Sequence, residues 1–229
     1  MKRFLLATCV GLAIAGGGAA RAQNVGDAAP AFPGAGPPVG KQAGTFMVRL
    51  RAIGVIPETT GSRVQAIGGS VSATAQAGPE LDLSYFFTDN IAVEAIAAST
   101  RHNVSLQGTA VGNIDAGSAW VLPPTITAQY HFMPHERFSP YVGAGVTIAW
   151  WYASHPATPT VTKFTVGNNL GAALQIGFDY NLTGHWFANF DVKQIFLQTN
   201  AKANTVLGGV EAHTGLNPII IGAGIGYRF

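Results

Sequence analysis

Charge is scarce in this 229-residue chain: Asp, Glu, Lys and Arg together make up 10 % of it, where a soluble domain carries about a quarter. Cysteine is scarcer, with Cys9 alone. Long apolar runs are missing too, since a membrane helix needs roughly 20 consecutive apolar residues. Each shortage excludes something. One cysteine cannot build a disulfide framework or a thiolate metal site. A chain without a basic patch is not built for nucleic acid. Hydrophobic residues at 48 % with so little charge do not suit an ordinary soluble surface, and the missing run excludes a helical membrane span. What remains is a protein with an apolar outside and no helix to carry it.

The N-terminus points to export. Met1-Lys2-Arg3 is a short basic stretch, Phe4 to Ala15 an apolar one, and Ala20-Arg21-Ala22 a small-residue cleavage site. Residues 1–22 read as a secretory signal peptide, which removes Cys9 with it. Without Lys2, Arg3 and Arg21, the 13 basic residues drop below the 11 acidic ones. Residues 23–43 hold Pro30, Pro33, Pro37 and Pro38 among Ala and Gly, with no apolar period. They read as a periplasmic arm.

From Gly44 onward, period two dominates in segments of about ten residues, the pattern of barrel strands. Eight such segments are legible: about 45–56, 80–87, 91–99, 125–132, 140–152, 170–180, 186–197 and 218–229. The joins alternate. Thr88–Asn90, Met133–Ser139 and Asn181–His185 are short, whereas Pro57–Pro79, Thr100–Pro124, Ala153–Asn169 and Gln198–Asn217 are long. Short turns on the periplasmic side and long loops outside are the outer-membrane arrangement. Aromatic residues such as Phe87, Tyr130, Phe132, Phe178, Tyr180, Tyr227 and Phe229 cluster near the short-turn ends, as an interfacial girdle does. The expected fold is all-β, an eight-stranded antiparallel transmembrane β-barrel over residues 44–229. It lies in the outer membrane of a Gram-negative bacterium, surrounded by lipid and lipopolysaccharide.

Eight strands leave room inside for side chains or one small ligand, not for a wide pore. The inward positions are uneven. Toward the short turns they are polar, and Arg49, Arg51, Glu94, His131, Asp191 and Lys193 are expected to form a periplasmic plug. Charges in a narrow barrel mostly satisfy one another. Toward the long loops the inward positions become Ile53, Val55, Ile96, Trp151, Ile195, Leu197 and Ile220, an apolar funnel that suits an apolar ligand or is ordinary packing. Pro123-Pro124 stand where the second long loop meets the fourth strand. Proline donates nothing to a ladder. The pair either starts the strand or weakens the wall at a lateral gate.

GTFMVRLRAIGVIP (44–57), LSYFFTDNIAVEAIAAST (83–100), LPPTITAQYHF (122–132), FSPYVGAGVTIAWW (138–151), GAALQIGFDYNL (171–182) and LNPIIIGAGIGYRF (216–229) together resemble the OmpW family of small outer-membrane barrels. The TDNI, LPPT, PYVGAG and terminal GYRF stretches, in that order, carry the likeness. It implies a narrow hydrophobic channel, porin-like, closed toward the periplasm, that passes small hydrophobic compounds sideways into the outer membrane. It also implies that Tyr227 and Phe229 belong to a terminal signal read by the barrel-assembly machinery. The alternative is a structural or adhesive barrel that acts through its long loops and transports nothing. An enzyme is not expected. It would need a nucleophile, a His and a carboxylate converging at one rim, and of the six histidines only His131 is placed inward. No cofactor is implied, and His131 with His135 lacks a third metal ligand.

Overall fold

The computed structural model describes residues 36–37, 39–64, 68–157, 161–205 and 208–229. Residues 1–22, expected to be a signal peptide, and most of the proline-rich arm lie outside them. Among the described residues every regular element is a strand. In chain order these are β1 (Phe46–Ile56), β2 (Thr59–Val64), β3 (Ser70–Ala73), β4 (Gln76–Phe86), β5 (Ile91–Ala98), β6 (Thr100–Thr109) and β7 (Gly112–Leu122). There follow β8 (Thr125–His131), β9 (Phe138–Pro156), β10 (Val161–Val166), β11 (Asn169–Thr183), β12 (Trp186–Thr205), β13 (Gly208–Leu216) and β14 (Ile219–Arg228).

Eight of them close a ring. The antiparallel pairs run β1–β4, β4–β5, β5–β8, β8–β9, β9–β11, β11–β12, β12–β14 and β14–β1. These eight match the eight segments read from the sequence. A closed ring leaves no free sheet edge in the lipid. The strict alternation that builds it is visible in β8, where Thr125, Thr127, Gln129 and His131 are buried while Ile126, Ala128 and Tyr130 are exposed. The outward face is aliphatic at mid-height, with Leu50, Ile126, Val146, Leu174, Ile176 and Ile225 exposed. At the short-turn end it is aromatic, with edge contacts between Tyr85 and Phe87, Tyr130 and Phe132, and Trp186 and Tyr227.

The long connections differ from the expectation of irregular loops. β9 and β12 run 19 and 20 residues, well past the roughly 9–11 that span a bilayer. β6 and β7 form a hairpin, β13 pairs with β12 and β2, and β10 pairs with β12. The barrel wall therefore continues beyond the membrane on the long-loop side. A buried cluster that includes Val71, Leu106, Ile114, Val161 and Phe164 fills this extension.

Inward glycines make room in the narrow ring. A Cβ on Gly226 would strike the ring of buried Phe187, and one on Gly177 would lie 2.6 Å from Tyr141 Oη. Those positions are occupied by other strands' side chains, so only glycine fits.

Candidate functional site

The barrel interior has two parts, and β1 supplies both. Its inward residues alternate along one strand: Met47, Arg49 and Arg51 low, Ile53 and Val55 high, all buried.

The lower part is a charge network. Arg49 pairs with Glu94 at 2.7 Å and with Asp179 at 3.2 Å. Arg51 pairs with Asp82 and Asp191 at 2.7 Å each and with Glu80 at 2.9 Å. Lys193 reaches Glu80 at 2.7 Å. Gln129 donates to Glu94 at 2.7 Å, and Asn189 donates to Asp179 at 2.8 Å. Among the described residues, the buried cations Lys41, Arg49, Arg51, Lys193 and Arg228 face the buried carboxylates Glu80, Asp82, Glu94, Asp179 and Asp191. Five stand against five, so the cluster is electrically neutral as a whole. Such charges can stay in a low-dielectric interior because they are matched. Beneath them Met47, Phe86, Ala92 and Phe187 form a buried apolar layer. The guanidinium of Arg49 lies 5.6 Å and that of Arg228 5.1 Å from the Phe187 ring centre.

All six residues expected in the plug come together here. His131 contributes as a neighbour of Lys41, with Nδ1 2.8 Å from Nζ. Reading the sequence had missed Lys41, Glu80 and Asp82. The two carboxylates alternate with outward Leu81 and Leu83 on β4, so period two alone would have found them. Lys41 carries no such signal. It belongs to the arm, whose last residues are not free. Val39 N–H donates to Gly184 O at 3.0 Å and Lys41 N–H to Pro134 O at 2.8 Å. The Lys41 ammonium is 2.8 Å from Asp179, and burial pulls its pKa down to about 8 against the opposing charge of Asp179.

The upper part is an apolar cavity with about 70 Å³ open to the centre of a water molecule. Ile53, Val55, Ile96, Trp151, Ile195, Leu197 and Ile220, the residues expected to form a funnel, all line it. Lys193 and Glu80 lie at its floor, so the cavity ends where the charge network begins. Near its outer end stands His102 of β6, within the stretch expected as the second long loop. His102 Nδ1 lies 2.8 Å from Thr74 O and Nε2 3.0 Å from Thr100 Oγ1. Burial holds its pKa below the ordinary value. Trp151 packs against both the cavity cluster and the extracellular cluster, so the apolar interior is continuous into the extension.

Pro123 lines the cavity as well. The β5–β8 ladder ends at Ile96 opposite Thr125, and the β6–β7 ladder resumes at Thr100 opposite Val121 in the same register. Ala97, Ala98 and Ser99 thus face Pro124, Pro123 and Leu122 across an interruption of the wall. On the other flank the strand stays attached: Ile148 N–H donates to Pro124 O at 3.0 Å, and pairing continues from Thr125 with Thr147 to Leu122 with Trp150. The terminal residues are placed on the outer face. Tyr227 contacts Trp186 and Phe229, and Phe229 N–H donates to Phe46 O at 2.8 Å. Among the described residues no cluster of His, Cys, Asp and Glu could hold a metal ion.

Comparison with known proteins places this architecture. The chain is 45 % identical over 185 residues to an uncharacterised outer-membrane protein of Sinorhizobium fredii, covering 80 % of each chain. It is 33 % identical to outer membrane protein W of Escherichia coli, covering 82 % of this chain and 90 % of that one. The crystal structure of the outer membrane protein OprG from Pseudomonas aeruginosa superposes with a TM-score of 0.76 at 26 % identity, over 83 % of this chain and 98 % of that one. The OmpW family profile matches residues 42–229. The eight-stranded ring, the spaced motifs and these matches agree: the chain belongs to the OmpW family of outer-membrane β-barrels.

Proposed function

We propose that the barrel is a passive route by which small hydrophobic molecules pass from the outside into the outer membrane. The carrying observation is one adjacency: an apolar cavity sits directly on a neutral, fully buried charge network and directly behind an interruption in the wall. Ile53, Ile96, Trp151 and Ile220 offer an apolar guest a dry surface, worth roughly 25 cal/mol for each Å² covered. Downward passage would require such a guest to part ion pairs in low dielectric, which is costly. Sideways, it meets Ala98 and Pro123, which line the cavity at the interruption, and then lipid. Pro123 and Pro124 act in this reading as a lateral gate, because an interrupted ladder has fewer hydrogen bonds to break.

The test is uptake by cells with and without the protein, using matched apolar and polar solutes. Selective entry of the apolar solutes supports the channel. Equal entry of all solutes in both strains rejects it. The extension of β6, β7, β9 and β12 beyond the membrane favours a second reading, an adhesive barrel acting through that ordered outer surface. That reading predicts that deleting the β6–β7 tip abolishes partner attachment while solute uptake never depended on the protein.

A further inference from the structure

The wall interruption is bridged on its outer face. Tyr152 stands on β9, on the far side of β7 from Ser99, yet its hydroxyl lies 2.7 Å from Ser99 Oγ. The bond therefore crosses over the strand that carries Leu122 and the two prolines. One end holds the β5–β6 junction, where the ladder has lapsed. The other end belongs to the flank that stays attached. We infer that Tyr152 and Ser99 form a latch that holds the lateral opening closed and sets the rate at which an apolar guest leaves the cavity. This rests on the channel reading above.

Two further features fix the latch in place. The Tyr152 ring stacks on Trp120, with centroids 6.3 Å apart and planes 28° apart. Stacking leaves the hydroxyl aimed along the barrel surface rather than free to rotate. Next in the chain, Ala153 has φ of +47°, a left-handed conformation unfavourable for a residue with a Cβ. It lies where the β7–β9 register shifts, between Trp120 opposite Tyr152 and Ser118 opposite His155. A bulge re-aims the strand there, and strain of this kind persists where surrounding structure enforces it. Behind the latch lies the cavity. Ala98, Thr100, Val121 and Pro123 line the cavity, and Ala97 beside them is exposed on the lipid side. Moving Ala97 to Ser99 away from Leu122 to Pro124 joins cavity to bilayer, and the Ser99–Tyr152 bond resists that movement from outside.

Tyr152→Phe keeps the ring and its stack and removes only the hydroxyl. Ser99→Ala removes the other partner. The measurement is transfer of the apolar fluorophore N-phenyl-1-naphthylamine, which brightens in lipid, into outer membranes carrying each variant at equal folded amounts. Each single variant should accelerate transfer by roughly two- to tenfold, the ratio set by one lost hydrogen bond. The double variant should be no faster than either single one, because both remove the same bond, and Ser99→Thr should restore the original rate. Unchanged rates in both single variants, or fully additive effects, overturn the latch while leaving the channel standing. If the unaltered protein transfers no fluorophore at all, the channel reading itself fails and the latch falls with it.

Discussion

Lys193 Nζ lies 2.7 Å from Glu80 Oε1, and this one ion pair is at once the floor of the apolar cavity and the top of the charge network. The pair comes from strands on different parts of the ring, β12 and β4, and both side chains are buried. Glu80 has a second partner, Arg51 at 2.9 Å, whereas Arg51 serves Glu80, Asp82 and Asp191 together. The network is therefore not uniformly fragile.

That asymmetry predicts an order of effects. Arg51→Met leaves Asp82 without its ion-pair partner and takes one partner each from Glu80 and Asp191, and should destabilise the folded barrel by about 3–5 kcal/mol. Lys193→Met leaves Glu80 with Arg51 and should cost clearly less. Unfolding in urea from lipid vesicles measures both. Equal losses would mean that the charges are screened by water and do not act as a plug.

The cavity lining predicts a separable effect. Ile96 is buried in the wall beside Ala98, with its side chain on the cavity. Ile96→Asp places a carboxylate there without touching the ring's hydrogen bonds. Apolar uptake should fall about tenfold or more, since an unpaired charge in an apolar site is expensive, while the protein still runs as a folded barrel on an unheated gel. Retained uptake would remove the funnel from the pathway.

The terminal residue separates stability from assembly. Phe229 is exposed, and its ring lies 6.0 Å from that of Phe46. Deleting it loses little buried area, so refolding of purified protein into detergent should be nearly unchanged, within about 1 kcal/mol. Insertion in cells should drop markedly if the assembly machinery reads the terminal Tyr227 and Phe229. Comparing refolding yield with outer-membrane yield decides it, and normal insertion in cells would deny the signal.

How much of this was legible in the sequence follows from which forces write period two. Strands with lipid on one side and a filled lumen on the other must alternate, so Leu50, Arg51, Ala52 and Ile53 announce their faces. The same rule places Ile96, Trp151 and Leu197 around one cavity. Lys41 was illegible because its position depends on a coil that docks against Gly184 and Pro134 through backbone atoms, which leave no side-chain pattern. The extracellular strands lie in stretches expected as long loops, although His102, Val104 and Leu106 do alternate inward. The Ser99–Tyr152 contact joins residues 53 apart in sequence and depends on a bulge at Ala153 that no periodicity foretells.

In the proposed route, apolar molecules leave the cavity sideways, between Ala97–Ser99 and Leu122–Pro124. Apart from Cys9 the chain has no cysteine, so a pair introduced as Ala97→Cys and Pro124→Cys can form only one disulfide within the barrel. The measurement is uptake of the apolar fluorophore by cells carrying this variant, oxidised and then reduced. Uptake should fall to near background when the disulfide is formed and recover on reduction. Undiminished uptake with the disulfide fully formed would contradict the route, because the cargo would then be leaving by another way.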